Sequence, residues 1–120
     1  MFVNFSNHPS AKWSVKQLNE AAKYGAIVDI SFPVINNMLT DDDIYNIADM
    51  YAQEIRNLKP DVVMCQGEFT VAHRVVNELM SSGIKVVSAC SERVVTEKVL
   101  PDGNVEKTAV FIFEKFREYK

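Results

Sequence analysis

The chain has 120 residues, 48% hydrophobic and 24% charged, a length that accommodates one domain and buries a core without a disulfide or metal staple. Its 13 Lys and Arg against 16 Asp and Glu leave a net charge of −3, which excludes the broad basic face that coats long DNA or RNA. Cys65 and Cys90 lack CxxC spacing, which excludes a disulfide framework and a four-cysteine zinc site.

Phe2-Val3-Asn4-Phe5 reads as a first strand, followed by the polar loop Ser6-Asn7-His8-Pro9-Ser10. Ser14 opens a helix, with Gln17 three residues on to complete a capping box. Val15, Leu18, Ala21 and Ala22 mark its buried face, and Gly25 its C-terminal cap. Ala26–Ile30 reads as a second strand, ended by Ser31-Phe32-Pro33. A longer loop runs to Thr40, an N-cap whose helix carries Asp41, Asp42 and Asp43 in its first turn, where the helix dipole favours negative charge. Ile44, Ile47, Ala48, Tyr51, Ile55 and Leu58 keep helical spacing up to Pro60.

Asp61–Cys65 is an unbroken apolar strand of the kind covered on both faces. Gln66–Thr70 turns into a third helix that ends at Gly83, and Ile84–Ala89 reads as a fourth strand. Beyond Arg93 the period changes. Val94–Leu100 and Val105–Phe113 flank Pro101-Asp102-Gly103-Asn104, a hairpin signal, and Phe116–Lys120 forms a tail or strand continuation. Strand–helix alternation predicts an α/β fold: a single Rossmann-like, doubly wound and mainly parallel sheet of order 2-1-3-4, with the C-terminal β-hairpin at its edge.

In such sheets ligands bind beyond the carboxyl ends of the strands. The loops expected there carry Ser6, Asn7, His8 and Ser10; Phe32; Gln66, Gly67, Glu68 and Thr70; and Ser91 and Arg93. The opposite loops, Lys59-Pro60 and Ser81-Ser82-Gly83, are bland. His8 either bonds a backbone group or faces a ligand, for which imidazole suits proton transfer near neutral pH. Gly67 either supplies turn geometry or lets a phosphate approach the next helix, whose cap is Thr70 or Glu68. Arg93 is either an ion-pair partner of Glu92 or a bidentate phosphate contact. Trp13 packs at the start of the first helix, with base stacking as the alternative. Cys65 and Cys90 read as structural thiols, His73 as a solvated residue, and the Asp41–Asp43 run as helix-start charge. No metal-ligand spacing, Walker loop or GxGxxG is present, so no metal or cofactor is expected. The longest apolar run is far short of the roughly 20 residues of a membrane span, and the N-terminus lacks a signal-peptide layout; the expected location is cytoplasmic.

The stretch Asn4-Phe5-Ser6-Asn7-His8-Pro9-Ser10-Ala11-Lys12-Trp13 resembles the first loop of small stand-alone CRISPR-associated proteins with a CARF-like Rossmann fold. Gly67-Glu68-Phe69-Thr70 and Ser91-Glu92-Arg93 resemble that group's second and third loops. The resemblance implies a homodimer that binds a cyclic oligoadenylate, the second messenger of type III CRISPR antiviral defence, and either acts on it as a ring nuclease or only sequesters it. In the ring nuclease, a ribose 2′-hydroxyl attacks its own phosphate without a metal and switches the signal off. His8 would then serve proton transfer to the leaving 5′-oxygen or phosphate contact, Arg93 would stabilise phosphoryl charge, and Glu68 would orient the hydroxyl. Ser6, Asn7, Gln66 and Thr70 would position ribose and phosphate, beside Ser10, Trp13, Phe32, Gly67 and Ser91 as further ligand-binding positions. Asp61–Glu68 also resembles nucleoside deoxyribosyltransferase-like and nucleotide N-glycosidase folds, which would make Glu68 a nucleophile. A structural partner protein, dimerising through an exposed edge on Val105–Phe113, is a further alternative.

Overall fold

The computed structural model describes residues 1–120. In chain order it contains β1 (Phe2–Ser6), a 3-10 turn (Ser10–Lys12), α1 (Val15–Ala22), β2 (Ile27–Ser31), α2 (Asp41–Asn57), β3 (Val62–Cys65), α3 (Phe69–Ser81), β4 (Lys85–Val99) and β5 (Val105–Glu118). The five strands form one sheet of order β2-β1-β3-β4-β5. The first four are parallel neighbours and β5 runs antiparallel to β4. The expected order 2-1-3-4 with an edge hairpin therefore holds, and it is compatible with a Rossmann-like α/β fold.

Alternation along the strands divides the core in two. Val3, Phe5, Val63, Cys65 and Val86 point to the face covered by α2 and α3 and pack with Ala48, Ala52, Ile55, Val71, Val75 and Leu79. Phe2, Val62, Met64 and Val87 point to the other face and pack with Trp13 and Ala21. β1 and β3 are buried at every position, which explains the unbroken apolar run of β3 and the apolar residues that flank buried Asn4 in β1. Deep in the first core, burial pushes the Cys65 thiol up to about 12, as expected of a structural cysteine.

The helix starts follow their sequence signals closely. Thr40 and Asp43 form a reciprocal capping box. At α1 only half of the expected box forms: Ser14 Oγ accepts from the Gln17 N–H, while the Gln17 side chain turns inward and is 5% exposed. Gly25, Gly83 and Gly103 take positive φ at the end of α1, the end of α3 and the hairpin turn.

The fourth strand departs most from expectation. It does not stop at Ala89 but continues to Val99, so Cys90-Ser91-Glu92-Arg93 is strand and not loop. Of the expected tail or strand continuation, Phe116–Glu118 take the second form and continue β5, which pairs from Val105 opposite Val99 down to Glu118 opposite Val87. One register shift at Cys90/Ser91 leaves Glu114 without a partner. The polar run reads as a loop because the outer hairpin is bare on both sides, so neither face needs an apolar pattern.

Candidate functional site

Following the α1 side of each inner strand toward its carboxyl end, side chains pass from apolar to polar. β1 carries Phe2, Asn4 and Ser6; β3 carries Val62 and Met64 and leads to Gln66; β4 carries Val87, Ala89 and Ser91. The polar ends open onto a cavity of about 1010 Å³. One wall is the β1–α1 segment, with Ser6, Asn7, His8, Lys12, Trp13, Ser14 and Gln17. Met64, Gln66 and Gly67 form the floor, and Ala89, Ser91, Ala109, Val110, Phe111 and Phe113 of the hairpin form the facing wall.

The wall that carries His8 is pinned by buried polar groups. Asn4, 1% exposed, donates from Nδ2 to the His8 carbonyl and to Asp29 Oδ1, each at 2.9 Å. Its Oδ1 accepts from Ser6 Oγ at 2.6 Å, and Ser6 Oγ in turn accepts from the His8 N–H. Trp13 Nε1 donates to the same His8 carbonyl at 2.9 Å. Asp29 stands beside Asn4 in the parallel register and also accepts from the Ser10 N–H and Oγ. The His8 backbone is thereby fixed from several sides while its side chain stays exposed. Sequence reasoning missed Asn4 and Asp29. The legible signal was a polar residue interrupting each of two apolar strands, since a buried polar group must find partners.

Seven of the expected residues, Ser6, Asn7, His8, Trp13, Gln66, Gly67 and Ser91, line this cavity together. Gln66 Oε1 is occupied by the Ala89 N–H at 2.7 Å, so it also ties β3 to β4. The remaining expected residues lie elsewhere. Ser10 sits behind the wall, bound to Asp29. Phe32 is a correction: it is 3% exposed, stacks on Phe5 with ring centroids 4.7 Å apart, and belongs to the α2/α3 core. That placement also revises the role of Gly67, where an added Cβ would lie 2.5 Å from the Phe32 ring; the glycine is needed for packing.

Glu68 is the N-cap of α3. Its carboxylate accepts from the Thr70 N–H and Oγ1 and from the Val71 N–H. Burial pulls its titration up, but these hydrogen bonds from Thr70 and Val71 outweigh it and hold Glu68 below the ordinary carboxylate range. Arg93 is exposed on the hairpin, outside the cavity lining, although its cross-strand neighbour Phe111 does line it.

Thr70 and His73 line a separate groove of about 930 Å³ on the outer side of α2 and α3. Arg74 Nε there donates to Asp49 at 2.8 Å and stacks over Tyr45, and His73 contacts Asn77. The groove holds acidic Glu78 among its lining, whose titration is raised by burial and by its bond to Asp49. The cavity on the α1 side is different: none of its 16 lining residues is Asp or Glu, while Lys12 and His8 are among them.

The model of the family described as "Uncharacterized protein MJ1673 family" matches residues 1–117, and the chain belongs to that family. No curated protein matches the chain. Among solved structures, the chain is similar to one titled "Crystal structure of UDP-N-acetylglucosamine 2-epimerase", at 18% identity and a TM-score of 0.47 over 86% of this chain. It spans 34% of that chain's length.

Proposed function

We propose that this member of the MJ1673 family binds a small anionic nucleotide in the cavity between the β1–α1 wall and the hairpin, and that the ligand is a cyclic oligoadenylate such as cyclic tetra-adenylate. The observation that carries the reading is the charge of the cavity. In a chain of net charge −3, its lining contains no carboxylate and includes Lys12 and His8. The start of α1, at Ser14, opens onto the same space and adds the positive end of a helix dipole. Phe111, 69% exposed, offers a planar apolar surface on which a base stacks. The loop resemblance supplies the identity of the nucleotide and the proposal of a cytoplasmic homodimer whose two-fold axis matches a cyclic ligand.

Ring opening is the chemistry proposed for this pocket. The ribose 2′-hydroxyl gives up its proton to water as its oxygen attacks the adjacent phosphorus, the bond from phosphorus to the 5′-oxygen breaks, and the product ends in a 2′,3′-cyclic phosphate and a 5′-hydroxyl. His8, held by its backbone, transfers the proton to the leaving 5′-oxygen. Binding without cleavage is the second reading. It is favoured by the positions of Glu68, engaged as a helix cap, and Arg93, outside the cavity lining.

The test is incubation of purified protein with cyclic tetra-adenylate in EDTA, with products separated by chromatography and binding measured on the same samples. Linear products that fall about 10-fold or more in His8→Ala support ring opening. Intact ligand with tight binding supports the sequestering reading, and absence of both binding and cleavage overturns the nucleotide proposal. Base release abolished in Glu68→Ala would instead favour the glycosidase alternative.

A further inference from the structure

Gln17 stands out in the cavity as a polar side chain whose hydrogen-bonding capacity the protein leaves largely unused. It is 95% removed from solvent by its 5% exposure, and it lines the cavity. Its side-chain hydrogen bond is one weak contact, Nε2 to the Met64 sulfur at 3.9 Å. No protein donor reaches Oε1, yet that atom is not sealed off, so its open side is the cavity. Burying an amide this poorly satisfied is costly unless a further partner arrives. The sequence position sharpens the point. A glutamine three residues after an N-cap serine has a ready local bond to the Ser14 N–H through a capping box, and Gln17 does not make it.

We infer that Gln17 reads the ligand, accepting from and donating to a planar group that carries a donor beside an acceptor. This deepens the nucleotide reading above and rests on it: the matching group is the adenine edge, where an amine lies next to a ring nitrogen. Met64 touches the Gln17 amide, and Trp13 and Phe113 line the same cavity with apolar surface, which strengthens such a pair by excluding water. Gln17 is thus a specificity residue and takes no part in bond breaking.

The experiment measures binding of cyclic tetra-adenylate and of its analogue bearing purine in place of adenine, which lacks the 6-amino group. Wild-type protein is expected to prefer the adenine form by about 10-fold or more, the range of one good bidentate pair. Gln17→Leu is expected to bind both forms alike, and Gln17→Met provides a second variant that keeps the contact volume beside Met64. Thermal unfolding verifies that the variant used is folded. A folded variant that keeps the wild-type preference overturns the role of Gln17 and leaves the nucleotide reading standing. Wild-type protein that binds neither ligand overturns both.

Discussion

On one side of the cavity, His8 is held by Asn4, Ser6 and Trp13 against a sheet buried on both faces. On the other, Phe111 stands 69% exposed on a hairpin whose outer half is supported only by its own ladder. The pinned wall suits polar groups whose positions must not drift, because preorganised donors would lose little freedom on binding the proposed nucleotide. The hairpin wall suits contact area, since stacking tolerates small shifts that a hydrogen bond does not. Its inner end is anchored where Phe113 and Phe116 pack at 4.9 Å and Phe116 meets Phe2 at 5.1 Å. The hairpin therefore changes character along its length, from core at Phe113 to bare ladder beyond Phe111.

Substitutions that probe this gradient separate by size. Phe113→Ala, at 4% exposure, should cost about 3–5 kcal/mol in urea unfolding, as large-to-small core changes do. Phe111→Ala should be nearly neutral for stability and weaken binding of the proposed nucleotide; an equal stability loss in both variants would erase the distinction between inner and outer hairpin. Asn4→Ala breaks the bonds that join Ser6 Oγ, the His8 carbonyl and Asp29, leaves the buried Ser6 hydroxyl without its closest acceptor, and should cost about 1–3 kcal/mol. It should also broaden the amide resonances of the Ser6–Ser10 loop, and a sharp, unshifted loop would show that the wall is held by other means.

Glu68→Ala removes the α3 cap and should cost about 1 kcal/mol near neutral pH. Because its folded titration is lowered, the contribution of Glu68 is complete above its ordinary value of 4.5 and is lost as pH falls through the folded value. The gap between wild type and variant should accordingly narrow in acid, in stability curves taken from neutral pH downward. The smallest effect is expected on the outer hairpin. Glu97→Ala, which removes an exposed pair with Lys107 at 3.5 Å, should change stability by no more than about 0.5 kcal/mol.

The strand–helix order and the helix caps at Thr40 and Ser14 were legible in the chain because each rests on local chemistry, and the sheet order followed from strand–helix alternation through the rules that govern crossovers. Apolar runs match strands covered on both sides, and a cap residue bonds backbone only two or three positions away. The carboxyl edge was legible as well, since parallel topology brings the ends of β1 and β3 together wherever the sheet forms. Local chemistry could not reveal the length of β4, whose residues beyond Ala89 are held by β5 rather than by any pattern of their own. Nor could it separate Phe32 and Gly67, which fill each other's space, from residues that meet a ligand. Gln17 shows the same limit: its spacing from Ser14 points to a cap, and only the packing of α1 over Met64 turns its amide into the cavity. Tertiary structure decides such cases because the competing partners lie far apart in sequence, and burial sets which bond is made.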